Sequence, residues 1–247
     1  MNNVKGSTAN EIKLIKGIQK AVGAIQDGII GEQTISDIAC ILKADAFPVT
    51  MKIYDAPVII AREIYPFAAR GKALLNYANA INGSFYVNQA VGGPAPVSIL
   101  ISNGAVVREY ACHYKEGYPE TVLYRLKTGA FGIKRVKHVS ELPAGISWAV
   151  GGLGLLDLYN PTAEGFMGMY ADVLRRTNHS MLGVKNGHIY LIYCKNKTAS
   201  EVNAFAKQLG LEKAIMMDGG HIAAIHGGES FAKINLSTPQ AYVIQAV

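Results

Sequence analysis

Apolar residues at Ile12, Ile15, Ile18 and Val22 recur with the spacing of one helical face, so the chain opens as helix within residues 8–43. That face ends near Gly23. The segment QDGIIGEQT (26–34) follows as a tight glycine turn, and Ile35, Ile38, Ala39 and Leu42 form the apolar face of a second short helix. Pro48 breaks the pattern and marks a linker. Beyond it the texture changes to short apolar runs with turns between them. VIIAREIY (58–65) is β-rich, and SILISNGAVV (98–107) and MLGVKNGHIYLIY (181–193) each read as a hairpin with Asn-Gly at the turn. TASEVNAFAKQLG (198–210) predicts a helix. Thr198 and Glu201 make a capping box, Val202, Phe205, Ala206 and Leu209 make a face, and Gly210 suits the C-terminal cap. The run from Ala214 to Met217 is then a returning strand that delivers Asp218 to its end. The expected fold is α+β: a small helical N-terminal domain over residues 1–47, then a mixed α/β domain over 48–247 with a central, largely antiparallel sheet.

Composition agrees with a packed protein. Of 247 residues half are apolar and 17% are charged, which supports a core and excludes disorder. The net charge of +6 suits an anionic partner such as a wall polymer carrying phosphate. No Lys/Arg cluster interleaved with aromatics and no zinc-finger spacing occurs, so nucleic acid is not an expected partner. Cys40, Cys112 and Cys194 are too widely spaced for a disulfide framework or a CxxC motif, and free thiols point to folding in a reducing compartment. The polar start MNNVKGSTAN is not followed by an apolar h-region, and no stretch is long enough to span a membrane. The expectation is a protein made in the cytoplasm without a signal peptide, not inserted in a membrane, that reaches its site of action by holin-type or other release.

The turn DGIIGEQT has the form D-G-x-x-G-x-x-T between two short amphipathic helices. Over roughly residues 9–43 it resembles the small helical peptidoglycan-binding domain of cell-wall hydrolases. The resemblance implies a wall-binding role for Asp27, Gly28, Gly31 and Thr34, with peptidoglycan or a wall glycopolymer as partner.

Four further stretches stand far apart: AINGSFY (80–86), a strand ending in Asn-Gly-Ser; WAVGGLGLLD (148–157), a glycine-rich turn; RRTNHSMLGV (175–184), just before a strand; and IMMDGGH (215–221). In this order, over about residues 55–247, they resemble the phosphodiester glycosidase family. Two departures are visible. His221 and Ile222 stand where the family has Gly-Ser, and Asn178 to Leu182 separate Arg176-Thr177 from Gly183. The resemblance implies a hydrolase of glycosidic bonds in which Asn82, Gly83, Ser84, Thr177, Gly151, Gly152, Gly219 and Gly220 bind substrate.

Chemistry assigns the remaining roles. Glycoside cleavage generally takes two carboxyl groups. Asp218 is the first, and Glu229, Asp157, Glu164 and Asp172 are candidates for the second. A phosphate ester leaves without full protonation when a cation neutralises it, and Arg176 matches phosphate in bidentate geometry. His179 or His221 could supply a proton near neutral pH. His113, His138 and His188 read as structural, Trp148 and the tyrosines could stack on sugar rings, and neither metal nor cofactor is expected. The leading expectation is a phage or prophage lysin that cuts a sugar linkage in the bacterial envelope. The alternatives are a silent envelope-binding module and an intracellular hydrolase of a soluble phosphodiester or nucleotide-sugar.

Overall fold

The computed structural model describes residues 48–89, 93–227 and 233–247, with residues 4–5, 12–13, 15–16, 19 and 29–30. In the N-terminal part Val4–Lys5 (β1) pairs antiparallel with Ile29–Ile30 (β2), and helical positions fall at 12, 13, 15, 16 and 19. The remaining strands are β3 (Val49–Ile53), β4 (Ala56–Ala61), β5 (Ile64–Ala68), β6 (Ala80–Asn82), β7 (Tyr86–Gln89), β8 (Gly93–Pro96), β9 (Leu100–Ser102) and β10 (Ala105–Arg108). Then come β11 (Glu120–Leu126), β12 (Phe131–Val136), β13 (Ile146–Gly154), β14 (Thr177–Lys185), β15 (His188–Lys197), β16 (Lys213–Gly219), β17 (Ile225–His226), β18 (Lys233–Ile234) and β19 (Tyr242–Ala246). The helix Ala199–Gln208 joins β15 to β16.

A ten-stranded sheet runs β10-β9-β13-β16-β14-β15-β4-β3, with the β11–β12 hairpin joined to it through β13. A five-stranded sheet runs β18-β17-β6-β19-β5. Every strand pair among the described residues is antiparallel. The central strands are buried on both faces. Val58, Ile60, Tyr190, Ile192, Ala214 and Met216 point to the helix side, where Val202, Phe205 and Ala206 meet them. Ile59, Leu191, Ile215 and Met217 point the other way, onto Ile81, Tyr242 and Ile244 of the small sheet. Each fully buried large apolar side chain contributes about 1.5–3 kcal/mol, so these two interfaces hold the three layers together.

The local signals act as their chemistry demands. Asn103-Gly104 and Asn186-Gly187 turn their hairpins with φ of 48° and 77°, and of 51° and 72°. The helix begins at a capping box in which Thr198 Oγ accepts from the Glu201 N–H (3.2 Å) and the Glu201 carboxylate accepts from the Thr198 N–H (2.7 Å).

The α+β expectation is overturned: the molecule is mostly β, with 48% strand against 19% helical, and no helical N-terminal domain is evident among the described residues. The apolar runs expected as strands are strands; the helical share falls short because, among the described residues from 48 on, Ala199–Gln208 is the one α-helix and the other helical pieces are 3-10 turns. The turn expected at 148–157 is also different. Residues Ile146–Gly154 form the nine-residue strand β13, because glycines there make room for neighbours rather than for a bend. Asp27, Gly28, Gly31, Thr34 and Cys40 lie outside the described residues.

Candidate active site

The strand β16 leaves the core after Met217, and Asp218 is its penultimate residue, just before Gly219, which still pairs with His179 of β14. Burial pushes the Asp218 carboxyl up to about 7, against the pull of the Gly219 N–H, which donates to Oδ1 at 2.7 Å. The acid stands at the floor of a cavity of about 190 Å³. Thr177, His179, Gly219, Gly220 and His221 line it with Asp218, together with Tyr86, Asp172 and Arg175.

Asn82 fastens the surrounding segments. Its Nδ2 donates to the Asp218 carbonyl (3.1 Å) and to the Gly83 carbonyl (2.9 Å). Its Oδ1 accepts from the Ser180 hydroxyl (2.5 Å) and the Ala224 N–H (2.9 Å). The residue is fully buried, so one amide ties β6, β14 and the chain after β16 together. Gly152 of β13 joins the same junction, since a Cβ there would lie 2.6 Å from the Met216 carbonyl oxygen. All four sequence stretches therefore converge in space.

They do not all face the cavity. Asn82, Gly83, Ser84, Gly151 and Gly152 are among the residues behind its wall, not those lining it. Gly83 is glycine because a Cβ would enter the Tyr242 ring at 2.3 Å, and Gly151 because a Cβ would reach the Glu120 carboxyl at 2.1 Å. Arg176 points away, pairing with Glu201 (2.6 Å) and donating to the Asn196 carbonyl (2.9 Å). Arg175 takes the inward place. Its guanidinium pairs with Asp172 and reaches to within 3.7 Å of where a Gly220 Cβ would stand.

His179 is buried, with Nε2 donating to the Arg175 carbonyl at 3.1 Å and no hydrogen-bond partner for Nδ1. Burial and then the Arg175 charge hold its pKa below the ordinary imidazole value, against nearby backbone carbonyls. At neutral pH the ring is uncharged and offers Nδ1 as an acceptor. His221 is exposed at the rim. Tyr86, raised by burial and then by Asp218, adds a hydroxyl.

Of the carboxyl groups considered as a partner for Asp218, Asp157 is exposed, Asp172 is at the cavity rim, and Glu229 lies outside the described residues. Glu164 is buried in a bracket of Thr121, Gly154 and Arg135. Glu120 carries no motif that marks it in the sequence. Its carboxyl is buried on the Ile99 and Cys112 N–H groups and pushed up to about 8 by that burial. Both Cys112 and Tyr242 feel the charges of Glu120 and Asp218, so Glu120 lies close behind the site. Trp148 is buried, with its indole N–H on Glu63 (2.7 Å), and stacks on no ligand surface. Among the described residues, no group of three or more His, Cys, Asp or Glu is placed to hold a metal ion.

A desolvated carboxyl, an arginine and a neutral histidine around a sugar-sized cavity define a site of the glycoside-hydrolase class. The family model described as phosphodiester glycosidase matches residues 76–241, and the chain belongs to that family. It is a hydrolase that acts on sugar–phosphodiester linkages. The zebrafish N-acetylglucosamine-1-phosphodiester alpha-N-acetylglucosaminidase catalytic domain, auto-inhibited by its pro-peptide, shares the fold with TM-score 0.60 at 15% identity over 81% of each chain. A hypothetical protein from Synechocystis shares it with TM-score 0.53 at 13% identity, over 80% of this chain and 61% of that one. No curated protein matches the chain.

Proposed function

We propose that the protein cleaves a sugar–phosphodiester bond in a glycopolymer of the bacterial envelope, as a phage or prophage lysin made in the cytoplasm and released to the wall. Asp218 carries this reading: a desolvated carboxyl in a cavity that Arg175 also lines. The cavity is smaller than the roughly 300–1,000 Å³ typical of drug-sized ligands, so it takes one sugar-sized group. Ionised Asp218 accepts a proton from the attacking water as that water bonds to the anomeric carbon. The bond from that carbon to the phosphate oxygen breaks, and the phosphate monoester leaves with the electron pair. Arg175 offsets the charge that develops there, so no second carboxyl is needed as acid. Thr177 and Tyr86, which line the cavity, hydrogen-bond the sugar hydroxyls. The wall as destination rests on the D-G-x-x-G-x-x-T motif and on the net charge of +6.

The test is a digest of purified Gram-positive walls by wild type and by Asp218→Asn, with soluble products read by mass spectrometry. Sugar or sugar-phosphate fragments released by wild type alone are expected. Equal release by the variant would remove Asp218 from the chemistry, and no release from walls with turnover of a soluble diester would remove the wall.

A further inference from the structure

One hairpin departs from the pattern of the others. The β3–β4 turn carries Tyr54-Asp55 where two other hairpins carry Asn-Gly, and Tyr54 sits at φ 53°. A bulky aromatic in the left-handed region is strained, and strain of this kind collects at functional sites. The turn holds the Tyr54 ring out, 48% exposed, edge-on to Phe205 at 6.0 Å between centroids. The Lys197 ammonium lies over the Phe205 ring at 5.5 Å. These groups, with Lys195, Asn196 and Asp55, line an open groove of about 510 Å³. An aromatic shelf beside two ammonium groups suits a sugar ring that carries a phosphate, and Asp55 is the one carboxylate among the described lining residues.

The groove adjoins the active site. Lys197 on β15 is the cross-strand partner of Thr177 on β14, and Thr177 lines the catalytic cavity. Arg176 braces this boundary from outside by holding the carbonyl of Asn196, between the two lysines. That gives the arginine singled out in the sequence a place beside the second groove rather than in the first.

We propose that this groove is a second binding site, for the sugar-phosphate unit next to the one being cleaved, so that the enzyme takes a polymer of sugar phosphates in preference to an isolated diester. The proposal rests on the function proposed above. Its test is therefore a binding measurement that needs no turnover. In the Asp218→Asn protein, affinities are measured by calorimetric titration for an oligomer of N-acetylglucosamine 1-phosphate units and for the methyl diester of a single unit. The oligomer binds more tightly, and its advantage falls about tenfold in Tyr54→Asn and in the Lys195→Gln/Lys197→Gln pair, as the loss of a stacking shelf or its cations requires. Asn is at home in the left-handed region, so Tyr54→Asn removes the ring without disturbing the turn. Equal binding of the two probes by the parent, or an advantage unchanged in both variants, overturns the proposal. Cleavage by wild type is read separately. Absent cleavage with the differential binding intact would remove the hydrolytic reading of Asp218 and still support the second site.

Discussion

At the scale of single residues the site turns on where charge is tolerated. Asp218 is desolvated until its pKa reaches about 7, so the base role proposed for it requires loss of its proton above that pH. Its kcat/KM is expected to climb with pH through about 7 and then level off, and a profile falling through the same range would make it an acid instead. Asp218→Asn is expected to lower turnover of a soluble diester by about 10²–10⁴-fold with folding intact by circular dichroism. Of the two adjacent arginines the larger loss belongs to Arg175. Removing a cation aimed at developing charge costs about 10²–10³ in kcat. Arg176→Ala breaks only a solvent-exposed pair with Glu201 and is expected to leave kcat, and nearly all of the unfolding midpoint, unchanged. The sequence named the arginine pair but chose the outer one. The register of β14 shifts between Thr177 and His179, so counting alternate positions back from the strand does not say which arginine faces in. Glu120 was missed for a related reason. Period-two alternation marks which face a side chain takes, and says nothing of whether a lone acid in the run ETVLYRL is buried on two backbone N–H groups.

At the scale of elements, local chemistry was most legible where a residue type meets one backbone need. Both Asn-Gly hairpins, the capped helix and the strand that carries Asp218 near its end were visible in the chain for that reason. Thr198→Ala removes the cap and is expected to cost about 1 kcal/mol in denaturant unfolding. The glycines were harder to read, because a glycine required by a close neighbour looks the same as one required by a turn. Gly83→Ala would drive a Cβ into the fully buried Tyr242 ring, and Gly151→Ala into the Glu120 carboxyl. Each is expected to lose about 1–3 kcal/mol or more of stability. Were either glycine a ligand contact only, its variant would unfold at the wild-type midpoint and lose affinity instead.

At the scale of the whole molecule, the three layers bury acids that the unfolded chain would expose. Glu120 rises from 4.5 to about 8 and Asp218 from 3.8 to about 7. Over those windows the folded state keeps protons that the unfolded state releases. Their contribution to stability is therefore greatest below about pH 4, declines as pH rises, and is lost once both folded pKa values are passed near pH 8. Urea midpoints measured from pH 4 to 8 are expected to show that decline, and Glu120→Gln to flatten its upper part. The sequence by itself determined the turns, the helix and its cap, the order of the four motifs and the acid at the end of β16, because each depends on residues close along the chain. Tertiary structure alone decided that the central strands are buried on both faces, that Asn82 ties three segments rather than lining the cavity, that Arg175 faces Gly220, and that Tyr54 and Lys197 share a groove. Those outcomes depend on which strands pair and in what register, and pairing joins residues up to 182 positions apart, as at Ile64 and Ala246, beyond the reach of any local pattern.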